Sequence, residues 1–164
     1  MLKELKWGVL FSGAILVWLL IERLTGLHDE HIEYHAYFTN LFAVVAVVIY
    51  VLALRDKRAS LPNQEMRWIE GFLSGVIIAV VVAALSPLLQ IIAHYLISPD
   101  FFANMQAYTI NEGLMEPAAA REYFSLESYI IQSVIGALLM GAATAAVVAF
   151  FLRTRDRDTS RHKT

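Results

Sequence analysis

The sequence predicts an all-α fold, a four-helix bundle that spans a membrane. Three observations carry this expectation. The 164 residues are 58% hydrophobic, against roughly half in an ordinary soluble domain. The apolar residues gather into four long blocks, each near or above the ~20 residues that a helix needs to cross ~30 Å of hydrocarbon. The basic residues concentrate on alternate connections, as the positive-inside rule demands of a chain threaded through a bilayer.

The first block, about 7–24, lies in MLKELKWGVLFSGAILVWLLIERL. A basic start and an apolar centre suit a signal peptide, but no small-x-small cleavage site follows. The run ends in Glu22-Arg23-Leu24, so an uncleaved first span is expected. The second block, about 36–54, is the shortest and gains a turn from Tyr34 and His35. The third and fourth cover about 70–97 and 128–152. All four runs are continuous and none alternates, which argues against membrane strands.

The loop 98–127 carries its own helix punctuation. Ser98-Pro99 reads as an N-cap followed by Pro at the first helical position, and Gly113 as a stop. Phe101, Phe102, Met105 and Tyr108 recur at helical spacing, and Pro117 can open a second short helix. The loop is expected to be an amphipathic helix, lying on the interface or capping the bundle. The tail RTRDRDTSRHKT, 153–164, reads as a solvated end that meets anionic headgroups. At this length the chain is expected to form a single membrane domain, 1–164.

Orientation follows from charge. With both termini inside, eleven of the thirteen basic residues fall on the inner side; only Arg23 and Arg121 fall outside. The chain is therefore expected to be N-in and C-in. That puts LHDEHIEYHAYFTN, with His28, His31 and His35, on the outer face beside the 98–127 loop.

Composition excludes several chemistries. The chain has no cysteine, hence no disulfide, thiolate metal site or thiol redox couple. No Gly-rich phosphate loop or Ser/His/Asp arrangement is visible. Acids interrupt the basic tail, so no nucleic-acid partner is expected.

Small residues recur every fourth position on the third span (Gly71, Gly75, Ala79, Ala83) and on the fourth (Ser133, Ala137, Gly141, Ala145, Ala149). Between helices in lipid, close backbone approach matters more than apolar burial. The two stripes are expected to face each other, antiparallel; the alternative is that one of them serves a second copy. A faint echo also runs through the chain: Phe11-Ser12-Gly13 answers Leu73-Ser74-Gly75, and Tyr37-Phe38-Thr39 answers Tyr123-Phe124-Ser125. Duplication of a helical hairpin and chance both remain open.

Depth counted at ~1.5 Å per residue from the last inner charge places Glu22, Asn40 and Ser86 inside the hydrocarbon. His35, Gln90 and Gln132 fall near its outer boundary, with His94 just beyond. Polar groups at such depth are costly unless they face the bundle interior or water. They are expected to line an outward-opening polar pocket: Glu22, His35, Asn40, Ser86, Gln90, His94 and Gln132. The alternative for Glu22, near the end of its span, is to snorkel to the interface or pair with Arg23. The histidines have the spacing H-x2-H-x3-H, which is not the zincin motif H-E-x-x-H. Two readings stand side by side. In one they are rim residues in an aromatic belt with Tyr34 and Tyr37. In the other His28, His31, His35 and His94 bind a divalent metal. Proton handling by the cluster is a third reading, and a haem between His35 and His94 a further, weaker one.

The run HIEYHAYFTNLFAVVAVVIYVLALRDKR, the block GFLSGVIIAVVVAALSPLLQ and the stretch YFSLESYIIQSVIGALLMG resemble a bacterial family of small four-span membrane proteins, domain-of-unknown-function family 4199. The resemblance runs from about Lys6 to Leu152. It implies four helices and a bacterial inner-membrane setting, and it assigns no catalytic role to any residue. The expected function is a non-enzymatic accessory subunit or small transporter-like module, working among membrane lipids with a second copy or a larger membrane partner. The alternative is a metal-binding protein or membrane metalloenzyme with its histidine site on the outer face.

Overall fold

The structure, a computed structural model, describes residues 1–154. The expected tail beyond Thr154 lies outside the described residues. Seven α-helical segments follow in order: α1 Leu2–Leu24, α2 His35–Thr39, α3 Phe42–Ala59, α4 Trp68–Ile92, α5 Phe101–Asn111, α6 Pro117–Tyr123 and α7 Leu126–Leu152. No strand occurs among the described residues. Four stretches are long and apolar enough to cross a membrane: Leu2–Leu24, Ile32–Ala59, Trp68–Ile97 and Leu126–Leu152.

The long helices alternate in direction. One end of the bundle is basic and is tied by charge. Lys3 Nζ lies 2.6 Å from Asp56 Oδ1, and Trp7 Nε1 donates to Asp56 Oδ2 at 3.0 Å. Lys57 Nζ donates to Glu4 Oε1 at 2.8 Å, and Ser74 Oγ donates to the same oxygen at 2.9 Å. Thr154 exchanges two hydrogen bonds with the Met66 backbone. The starts of α1 and α4 and the ends of α3 and α7 therefore meet there, and the histidines gather at the opposite end.

α4 and α7 form the tightest pair, and the small-residue stripes explain why. A Cβ built on Gly75 would sit 2.4 Å from Ala145 Cβ, and one on Gly141 would sit 2.5 Å from Ala79 Cβ. A Cβ on Gly71 would lie 3.0 Å from Ala149 Cβ. The contacts step by four along both helices in opposite senses, so the two stripes meet antiparallel as the spacing predicts. The duplication echo does not extend to packing. Gly75 is closed against Ala145, whereas its counterpart Gly13 has nothing within 4 Å.

The interior has two parts. Nearer the basic end, Tyr50, Leu54, Met66, Ile78, Val82 and Ala145 form a dry core. At the histidine end, Phe102, Met105 and Phe124 pack with Phe101 and Tyr129. α5 is thus a cap seated on the bundle, with its apolar face inward. The long helices leave large apolar side chains outside: Val17 is 57% exposed, Val44 66%, Leu73 53% and Leu139 66%. An apolar exterior on every long helix is what a lipid solvent accommodates.

Two boundaries differ from expectation. The helix after Ser98-Pro99 begins at Phe101, with Asp100 at its N-cap position and no side-chain cap bond. The Ser98 hydroxyl is engaged elsewhere, as shown below. The second span is also not one continuous helix. Between α2 and α3, Leu41 N bonds Phe38 O and Ala43 N bonds Asn40 O, an i to i−3 pattern. Asn40 and Leu41 have ψ near −20°, the tighter pitch of a 3₁₀ turn. That turn shifts the phase of the residues around it. Gly113 does end its helix, at φ +67°, and Pro117 does open α6.

Candidate functional site: a carboxylate and imidazoles in a capped cavity

The site is made where α1 stops. Thr25 Oγ1 donates to Ile21 O at 2.8 Å, and Gly26 adopts φ +77°. Only a residue without a Cβ takes that conformation at little cost. The chain then folds back on itself, with Asp29 N and His31 N both donating to Gly26 O. Asp29 Oδ1 accepts from Glu30 N at 2.8 Å, and its other oxygen meets the Arg23 guanidinium. That backbone bond, then the guanidinium, hold the Asp29 carboxyl below its ordinary range.

The turn tucks His28 inward until it is only 4% exposed, beside Glu22 at 1%. Trp18, one helical turn earlier on α1, donates its Nε1 to Glu22 Oε1 at 2.7 Å. Glu22 Oε2 lies 3.3 Å from His28 Nε2, and His28 Nδ1 lies 2.6 Å from Ser98 Oγ. Asn104 on α5 donates to His28 O at 2.9 Å, which fastens the cap to the turn. His28 and His35 sit 5.3 Å apart, centroid to centroid, and both pack on Phe101. His94 stacks on Phe102 at 5.1 Å. The Nδ1 atoms of His35 and His94 are buried without a protein hydrogen-bond partner.

These groups line a cavity of about 190 Å³, bordered also by Phe101, Phe102 and Tyr129. Of the residues expected to form the pocket, Glu22, His35, Gln90 and His94 line it. Three do not. Ser86 is buried but gives its hydroxyl to Val82 O at 2.9 Å, within its own helix. Asn40 is exposed, donates to Ala36 O and borders a groove between α3 and α7 that Thr39 also lines. Gln132 is exposed and donates to Ser128 Oγ at 2.8 Å. Thr39 takes the place expected for its neighbour Asn40.

The histidine set divides as well. One ligand atom each from Glu22, His28 and His35 lie within 4.8 Å of one another. His31 is exposed on the far side of the Gly26 turn, facing a different groove with Trp18 and Phe38. His94 shares the cavity but lies outside the three-residue cluster. His35 and His94 both line the cavity, each with a buried Nδ1 that has no protein hydrogen-bond partner. Sequence reasoning missed the parts played by Thr39, Ser98 and Tyr129. Thr39 stood in the echoed triplet Tyr37-Phe38-Thr39 and Tyr129 in the family-like stretch YFSLESYIIQSVIGALLMG, while Ser98 reads along the chain only as an N-cap.

A carboxylate this buried needs compensation, because an isolated charge in a dry interior is strongly disfavoured. Trp18 supplies one hydrogen bond, and His28 stands ready as a second partner. What the arrangement can do chemically is hold a proton or a cation against a fixed acid, away from bulk water.

Four apolar helices of spanning length around a capped polar cavity define a four-span helical membrane protein. The chain belongs to a particular family: residues 6–154 match the family described as protein of unknown function, DUF4199. No curated protein and no solved structure matches the chain.

Proposed function

We propose that this chain is a non-enzymatic module of the bacterial inner membrane, transporter-like or accessory to a larger assembly, whose cavity holds a cation or proton against Glu22. The buried Glu22 carboxylate, set in a spanning helix among imidazoles with unused nitrogens, is the single observation that carries this reading. Ionisable groups in spanning segments that face an interior cavity characteristically mark ion or proton paths. No phosphate loop or thiol stands beside the cavity; the Ser98 hydroxyl that lines it is engaged with His28 Nδ1 at 2.6 Å, and we read that contact as orienting the imidazole for binding.

The cavity opens toward the outer face in this proposal. The basic end, with Lys3, Arg58 and Arg67, faces the cytoplasm by the positive-inside rule. The lipid acyl chains cover the exposed apolar faces, and a second copy or larger partner has the same faces available.

Reconstitution in liposomes tests the proposal. Flux driven by a pH gradient should fall to the protein-free level in Glu22→Gln and persist in His31→Ala, whose side chain faces away from the cavity. Flux unchanged by Glu22→Gln would remove Glu22 from the mechanism and leave the cavity as packing.

A further inference from the structure

We propose that Glu22, His28 and His35 coordinate one borderline divalent transition ion, such as zinc, cobalt or nickel, inside the cavity. This deepens the cation reading and rests on it, since it names the cation's class and its ligands.

The geometry is close to what an ion requires. Ligands at ~2.1 Å around a tetrahedral centre stand about 3.4 Å from one another. Glu22 Oε2 and His28 Nε2 already lie 3.3 Å apart, so an ion can sit between them without moving either. His35 closes the triangle, since all three ligand atoms lie within 4.8 Å of one another. A small rotation of its ring covers the remaining distance.

Both nearer ligands are held as metal ligands usually are. Ser98 Oγ, 2.6 Å from His28 Nδ1, can accept a hydrogen bond from Nδ1–H, the tautomer that leaves the Nε2 lone pair free to ligate. Trp18 Nε1 occupies Glu22 Oε1 at 2.7 Å, leaving Oε2 for the ion. Partners of this kind fix the tautomer and orientation of ligating groups.

Donor chemistry sets the class. Two imidazoles and one carboxylate, with no thiolate, suit zinc, cobalt and nickel; calcium and magnesium prefer all-oxygen shells. A fourth position falls on the cavity side, open to water or to the unpartnered Nδ1 of His94. An ion there also places positive charge beside a carboxylate that is almost wholly buried. His31 takes no part.

The test is metal titration of the purified chain in detergent after chelator treatment. Zinc calorimetry should show one ion per chain, and cobalt should give the visible bands of a tetrahedral site. His28→Ala and His35→Ala should each weaken zinc at least tenfold, and Ser98→Ala, acting through His28, about tenfold. His31→Ala should leave affinity unchanged. Chelator-reversible zinc stabilisation against heating should occur in the native chain and vanish in His35→Ala, which separates a lost site from a lost fold. Absence of saturable zinc binding would overturn the proposal. So would equal loss in His31→Ala and His35→Ala, which would move binding to the rim. Proton flux that depends on Glu22 in a chain without saturable zinc binding would sink the metal site while sparing the proton reading of the cavity; saturable zinc binding without any flux would keep the site and remove transport from the function.

Discussion

Glu22 gathers more physical consequence than any other residue in the chain. Its Oε1 accepts from Trp18 and its Oε2 faces His28, so removing a donor leaves a buried oxygen without a partner. Trp18→Phe should destabilise the protein by about 2 kcal/mol, the scale of a hydrogen bond to a charged group. Denaturant unfolding in detergent measures it, and Trp68→Phe is the control, since its indole meets Ala146 O at an exposed position. Asp29 offers a pH test outside the spans. Its folded carboxyl titrates below its ordinary range, so the stability it contributes is present above that range and fades as the medium acidifies through it. Asp29→Asn should flatten that acid limb slightly, because the group is exposed and solvent screens it. At this scale the depth of Glu22 was legible, counted from the inner charges, but not the choice between the pocket and a snorkelling or Arg23-paired position near the end of its span. Nor was the burial of His28 legible. His28 lies four residues beyond the end of α1, and only the Gly26 turn and the α5 cap carry it indoors. Both are tertiary effects, and a pattern along the chain does not record them.

Elements were read more fully, because lipid imposes lengths and close packing imposes spacing. The small-residue stripes of α4 and α7 foretold their pairing, and the glycine contacts give a sharp test. Gly75→Ala puts a methyl where Ala145 Cβ stands 2.4 Å away, and Gly141→Ala meets Ala79 Cβ at 2.5 Å. Neither neighbour is a flexible chain end, so the helices must part. Each change should cost about 1–3 kcal/mol, the usual range for overpacking. Gly136→Ala has nothing within 4 Å and should be neutral or slightly stabilising by helix propensity. Unfolding midpoints of the three variants in one detergent decide this. What sequence reasoning lost at this scale was phase. The 3₁₀ turn at Asn40–Leu41 breaks the second span, and Thr39 borders both the cavity and the α3–α7 groove while Asn40 borders only the groove. Ser98-Pro99 misled in the same way, since a residue with a good capping side chain was used to orient an imidazole.

The whole molecule is a division of labour between two ends. The basic end is closed by Lys3–Asp56, Lys57–Glu4 and the Thr154–Met66 bonds. The other end keeps a roofed cavity, with Phe101 and Phe102 on α5 above the imidazoles. This asymmetry matters only if lipid separates the ends, which makes sidedness the claim on which the functional reading depends. Because the native chain has no cysteine, single introduced cysteines report position cleanly. Glu112→Cys, in the turn after α5, and Asn63→Cys, in the turn between α3 and α4, should be made separately and exposed to a membrane-impermeant maleimide on intact cells. The Glu112 variant should label at once, and the Asn63 variant only after the membrane is opened. Labelling of both from the same side, or of Asn63 alone, would contradict the account.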